Sequence, residues 1–226
     1  MKDQINIIFF GPPGAGKGTQ AKRISTALNL PHIDTGHLIR KAISNETDLG
    51  KEAKHFVESG KLVPDDLIIE LIKERLLIFS GLQLDGFLLD GYPRTIPQAE
   101  ALDKMLSSSN LKITKVINIQ ASEAELIKRL SARRICSNKN CSAIYNLVTK
   151  QPKEANKCDL CSSELYQRKD DTETASLERL KEYEKKTAPL EKYYRDKKLV
   201  TDVDGSKDPD EVYNEIMKII KPTDKK

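Results

Sequence analysis

The sequence contains no tryptophan, and aromatic residues fill only 5% of its 226 positions. No stretch interleaves rings with basic residues, so the stacking surface of a single-strand nucleic-acid binder is missing. Charge of one sign is not in excess either: 38 Lys and Arg stand against 34 Asp and Glu, a net +4. A balance so mild forces neither a nucleic-acid nor an anionic-membrane partner, although it suits a phosphorylated substrate. No apolar run approaches the roughly 20 residues that cross a bilayer. The start, Met1-Lys2-Asp3-Gln4, enters a short strand pattern without a cleavage-like site, so no signal peptide is read and the expected compartment is the cytosol. Internal repeats are absent. Cysteine is missing outside one stretch of 26 residues, where Cys136, Cys141, Cys158 and Cys161 gather. In a reducing cytosol that clustering favours a metal site over disulfides.

What is present is led by Gly11-Pro12-Pro13-Gly14-Ala15-Gly16-Lys17-Gly18-Thr19. It follows the apolar run Ile5–Phe10 and enters a helical pattern from Gln20 to Leu28. Strand, glycine loop and helix in that order form a P-loop, whose backbone N–H groups cradle phosphates at a helix N-terminus. Lys17 adds a point charge for the terminal phosphates. The loop departs from G-x-x-x-x-G-K-[ST] in one place, since Gly18 follows Lys17 and the hydroxyl arrives late, as Thr19.

Further on, apolar strand patterns alternate with helical ones. His32-Ile33-Asp34, Gly86–Asp90, Lys115–Ile119 and Lys198–Val203 join Ile5–Phe10 as strands. Helices are expected over Asp65–Ser80, from near Pro97 to Leu106, from a Ser122/Glu125 capping box to Arg133, over Asp171–Arg195 with Pro189 bending or interrupting it, and over Pro209–Ile220. Lys221–Lys226 reads as a solvated tail. Strands alternating with helices give an open parallel sheet covered on both faces. From Cys136 to Leu165 the helical period disappears, which marks a small inserted module.

Asp90 ends an apolar strand, the place where a P-loop enzyme needs a carboxylate for Mg²⁺, directly or through water. Arg40, Arg94, Arg129, Arg133, Arg134, Arg168 and Arg179 fall at element ends or near the module, a supply of planar cations suited to crowded phosphates.

Gly11–Gln20, Asp34-Thr35-Gly36, Asp90-Gly91-Tyr92-Pro93-Arg94, Arg133-Arg134 and Arg168-Lys169-Asp170-Asp171 stand in the order seen in adenylate kinases. Over nearly its whole length the chain resembles the long, bacterial form of that family. The resemblance implies an α/β P-loop three-layer fold around a central parallel five-stranded sheet, with core segments 1–33, 64–131 and 172–226. It also implies a helical AMP-binding insertion at 34–63 and a small β-rich LID insertion at 132–171. The implied reaction is reversible transfer of the terminal phosphoryl group of ATP to AMP, with Mg²⁺, by a monomer. Gly14, Ala15, Gly16, Lys17, Gly18 and Thr19 would bind the ATP phosphates. Arg129, with Ile144, Tyr145 and Lys207, would surround the ATP base. Thr35, Arg40, the Lys61-Leu62-Val63 backbone, Gly91, Tyr92, Pro93, Arg94 and Gln98 would hold AMP, Gln98 reading the adenine edge. Lys17, Arg94, Arg133, Arg168 and Arg179 would carry catalysis, Arg168 and Arg179 touching AMP as well. Asp170 and Asp171 would lie at the hinge of the moving module. One departure stands out: the family usually has an acid two residues after Thr35, and here it is His37, read as an exposed residue at a helix start.

No general base is required for such a transfer, because the attacking phosphate is already anionic. Water must be kept out, so mobile covers are expected near 34–63 and 132–171. Cys158-x-x-Cys161 is a good half of a zinc site; Cys136 and Cys141, with four residues between them, make a wider half. Structural Zn²⁺ is the preferred reading, with unligated thiols and a disulfide pair as alternatives. Asn156-Lys157-Cys158-Asp159 matches a guanine-reading N-K-x-D, but the sole D-x-x-G, Asp202 to Gly205, follows it instead of preceding it. A kinase of UMP or CMP, a GTPase and a zinc-ribbon binding module complete the alternatives.

Overall fold

The computed structural model describes residues 4–80, 85–138, 140–141 and 143–221. The readings made of residues 1–3 and of the tail beyond 221 lie outside these.

In chain order the elements are β1 (Ile5–Phe10), α1 (Lys17–Leu28), β2 (His32–Asp34), α2 (Thr35–Ser44), α3 (Asp48–Glu58), α4 (Asp65–Ser80), β3 (Gly86–Asp90) and α5 (Ile96–Ser107). They continue with β4 (Lys115–Gln120), α6 (Glu123–Ser131), β5 (Arg133–Cys136), β6 (Ile144–Asn146), β7 (Leu165–Tyr166), α7 (Glu173–Glu182), α8 (Pro189–Asp196), β8 (Val200–Asp204) and α9 (Pro209–Ile220).

Five strands form one parallel sheet in the order β2-β3-β1-β4-β8. Apolar side chains alternate between its faces, as pleating requires. Ile8, Phe10, Leu89 and Val116 pack with Leu102 of α5 and Leu190 of α8. Ile7, Phe9, Leu88 and Ile117 pack on the other side with Ile24 of α1 and Ile216 of α9. The result is the expected α/β three-layer fold. Because the strands are parallel, β1, β2 and β3 all deliver their carboxyl ends to one edge of the sheet, where Gly11, Asp34 and Asp90 follow or end them. Crevices at such ends are where open α/β sheets bind ligands.

The cysteine-bearing module is a three-stranded antiparallel sheet, β6-β5-β7. Among the described residues its core is Cys136, Tyr145, Cys158 and Leu165, with Cys141, Ala143 and Cys161 packed against them.

Several boundaries differ from the sequence reading, and three of them have a clear physical cause. Helix α6 stops at Ser131 instead of running to Arg133, since the Ala132 carbonyl accepts from Leu147 N and Arg133 is already paired with Asn146. The following helix begins at Glu173, where the Thr172 side chain accepts from Ala175 N; Asp171 lies in a 3₁₀ turn, Lys169–Asp171. The last strand starts at Val200, because Lys198 takes a left-handed turn with φ 58°. Pro189 does interrupt the long helix. The break takes the form of a π-helical stretch, Tyr183–Thr187, closed by Ala188 N donating to the Tyr183 carbonyl at 2.9 Å. Pro189 then opens α8, where its missing N–H leaves nothing unsatisfied.

Candidate active site

Two cavities open at the carboxyl edge of the sheet. The larger is lined by Gly14 to Thr19, Asp90, Arg129, Arg133, Ile144, Tyr145 and Lys207. Loop and helix meet here because Gly16 at the N-cap of α1 takes φ 97°, open to glycine at no steric cost. The irregular Gly18 has a local cause. A Cβ at that position would lie 3.1 Å from Asp90 Oδ2, so the bare backbone lets the carboxylate of β3 close on the loop. Lys17 Nζ donates to the carbonyls of Gly11 and Pro12 at 2.7 and 2.8 Å. Burial pushes its pKa down to about 7; Asp90 opposes this, and Arg94, Arg179 and Arg133 add to it. At the other end Arg129 is fixed flat, donating through Nε to Glu125 Oε1 and through Nη1 to the Gly205 carbonyl, each at 2.7 Å. Tyr145 is buried, and its hydroxyl turns away to the cysteines, 3.5 Å from Cys158 Sγ and 2.7 Å from Asp159 N.

The smaller cavity is lined by Thr35, Arg40, Lys61, Leu62, Val63, Gly91, Pro93, Arg94 and Gln98. Thr35 Oγ1 is buried there without a hydrogen-bond partner. Gln98 is held at both ends: its Oε1 accepts from Arg94 N at 2.8 Å and its Nε2 donates to Asp65 Oδ1 at 2.7 Å. One amide proton and one lone pair are left to face a ligand. Tyr92 does not line the cavity. It is a core residue whose hydroxyl donates to the Gln98 carbonyl at 3.0 Å, which steadies the turn carrying Arg94.

The two cavities share a wall. Lys17, Arg40, Arg94, Arg168 and Arg179 line both. Burial lowers the pKa of Arg40 and of Arg179 to about 10 and moves that of Arg94 in the same direction, and the wall gathers one ammonium and four guanidinium groups. Two aspartates at the base of the module keep the arginines in order. Arg133 donates from Nε to Asp171 Oδ2 at 2.7 Å and from Nη2 to Oδ1; Arg168 takes Asp170 the same way, with Nε at 2.7 Å. Arg179 Nη1 reaches Asp171 Oδ1 and the Asp170 carbonyl, both at 3.0 Å. Arg134 goes elsewhere, donating to the carbonyls of Ser131 and Arg133.

The four cysteine sulfurs all lie within 4.8 Å of one another. Cys136 to Cys161 is 3.4 Å and Cys141 to Cys158 is 3.7 Å, far beyond a disulfide bond of about 2.0 Å. Four sulfurs at about 2.3 Å from one tetrahedral ion would stand about 3.8 Å apart. Burial pushes the Cys158 thiol up, but bonds from Tyr145 and from the amides of Leu160 and Cys161 outweigh it and lower its pKa. Hydrogen bonds from Ser163 lower the pKa of Cys161 to about 6, whereas burial raises that of Cys136 to about 12 and that of Cys141 rises despite the Ala143 amide. It is therefore the spacing of the sulfurs that suits a metal. With Cys158 inside the set, the N-K-x-D match is explained as part of this knuckle.

Residues 9–199 match the family model for adenylate kinase. Among curated proteins, the adenylate kinase of Archaeoglobus fulgidus is 51% identical over 96% of this chain and 98% of its own. That of Methanocella arvoryzae is 50% identical over 96% and 99%, and that of Bacillus licheniformis 47% over 98% and 100%. The chain belongs to the adenylate kinase family. Adenylate kinases convert ATP and AMP to two ADP and use Mg²⁺ with ATP.

Within an adenylate kinase, His37 is the residue to locate, and it is exposed and lines neither cavity. A carboxylate is nevertheless close by. Asp34 lines the larger cavity, is the Cα partner of Asp90 across β2 and β3, and caps α2 by accepting from His37 N at 2.8 Å. Negative charge at the sheet edge therefore comes from the strand end and not from the helix. Sequence reasoning also passed over Asp65 and Glu182. Asp65 looked like an ordinary acid in a helix first turn, yet it holds both Gln98 and Thr95. Glu182 lines the smaller cavity and accepts from Leu62 N at 3.3 Å, tying 61–63 to α7. Neither contact is local in sequence, so no spacing announces it.

Proposed function

We propose that this chain transfers the γ-phosphoryl group of ATP to AMP, with ATP in the larger cavity and AMP in the smaller. The observation that carries the reading is the shared wall: two neighbouring cavities have Lys17, Arg40, Arg94, Arg168 and Arg179 in common. A phosphate oxygen of AMP would attack in line, and the chain supplies position and positive charge. Lys17 leaves its carbonyl partners for the β- and γ-phosphates, while Arg133, Arg168 and Arg179, kept in place by the aspartates, turn their remaining N–H groups toward the transferring group. Thr35, Arg40, Arg94 and Gln98 orient AMP; Arg129 and the Gly205–Lys207 turn hold the ATP base. Asp90, with Asp34 beside it, fits Mg²⁺, which when bound neutralises phosphate charge. Segments 34–63 and 132–171 act as covers that exclude water.

Cys136, Cys141, Cys158 and Cys161 would hold one structural Zn²⁺, giving the module the stability that its few buried residues lack. Metal analysis of chain purified without chelator is expected to find close to one zinc per chain; active, metal-free protein would overturn this. No helix among the described residues is long and apolar enough to cross a membrane. We read the enzyme as a cytosolic monomer that does not act on nucleic acid. Specificity is tested by a coupled assay with ATP and each of AMP, CMP, UMP and GMP. AMP is expected to give the highest rate, and a faster pyrimidine nucleotide would overturn the assignment.

A further inference from the structure

Most cations around the larger cavity already have an anion. Arg23, Arg129, Arg133, Arg168, Arg179 and Lys207 each meet a carboxylate. Lys150 also lines this cavity, and its ammonium meets no carboxylate among the described residues. It is exposed, and its ammonium lies over the Tyr145 ring, whose centroid is 5.7 Å away. That ring is fixed, being buried and tied by its hydroxyl to Cys158 and Asp159. The backbone of Lys150 is fixed as well, in a tight turn where Lys150 N donates to the Asn146 carbonyl at 2.9 Å. The turn is seated on the core: Asn146 Nδ2 donates to the Arg129 carbonyl at 2.9 Å, and Leu147 N to that of Ala132 at 3.0 Å. Lys150 is thus carried by the module to the end of the cavity where Arg129 and Lys207 stand, away from the shared wall.

We propose that Lys150 is a further donor-nucleotide residue, closing on the nucleoside end of the triphosphate while Arg129 meets it from the core. A lysine resting on an aromatic face and free of a counter-ion can move onto a second π-face, here the purine, with little loss. Its charge also adds to the attraction for a polyanion. The proposal rests on the phosphotransfer reading only in taking the larger cavity as the ATP site.

The test compares wild type with Lys150→Met, Lys150→Arg and, as a control, Lys153→Met, which removes an exposed lysine of the same module outside both cavities. Readouts are KM for ATP, KM for AMP, kcat, and direct calorimetric binding of β,γ-imido ATP. Lys150→Met is expected to raise KM for ATP and weaken the analogue by the same factor, about threefold to tenfold. KM for AMP and kcat should stay put, Lys150→Arg should restore affinity, and Lys153→Met should change nothing. Unchanged analogue binding in Lys150→Met overturns the assignment, as does an equal loss in Lys153→Met. Wild type that fails to bind the analogue at all overturns both this inference and the function on which it rests.

Discussion

Replacing Asp171 by Asn keeps the side-chain shape and removes one charge from the junction of the module. The Asp171 side chain is fully buried and accepts from Arg133 and Arg179. Asn offers a single oxygen, and its amide protons would face a guanidinium that also only donates. Breaking a buried ion pair from one side costs about 3–5 kcal/mol. Here the two arginines keep 20% and 18% of their side chains exposed, so water recovers part of the loss and the lower end, about 3 kcal/mol, applies. For a chain of this size each kcal/mol moves the melting point by about 2–4 °C, giving a fall of about 6–12 °C by calorimetry. Arg133 and Arg179 would also lose their preset orientation, so kcat should drop by about tenfold or more. A melting point within about 2 °C of wild type, with kcat intact, would refute the view that the aspartates organise the shared wall.

Two further predictions concern Lys17. Lys17→Met should lower kcat by about 10²–10³-fold, the usual cost of one lost transition-state donor, while circular dichroism and melting show an intact fold; retained turnover would refute its role. The pH dependence follows from its pKa of about 7 in the free enzyme. Burial lowers that value, so the ammonium predominates below pH 7 and is lost as pH rises through it. Bound phosphates favour the charged form, so ATP must bring a proton to Lys17 at high pH. Affinity for β,γ-imido ATP should fall above pH 7, by up to about tenfold per unit, and the slope should vanish in Lys17→Met. Constant affinity from pH 7 to 9 would contradict this.

The sheet was legible because its strands are short apolar runs closed by glycine or an acid, as Gly86–Asp90 shows, and parallel burial leaves just that pattern. The phosphate loop was legible for a similar reason: φ and space requirements put glycine at fixed places. The end of α6 was not, since it is set by Leu147 and Asn146 reaching back from the module, and no feature of Leu130 to Arg133 records them. The same limit hid Asp65 and Glu182. Each acts through a partner that chain folding brings near, and their side chains look like ordinary surface acids until it does. Lys150 is read the same way, by what it does not pair with.

Transfer between two nucleotides in a site closed to water can be followed by ³¹P NMR of ATP, AMP and Mg²⁺ with the chain. The ATP γ and AMP resonances are expected to decline together while ADP grows, with no inorganic phosphate. Inorganic phosphate rising while AMP stays constant would contradict such transfer.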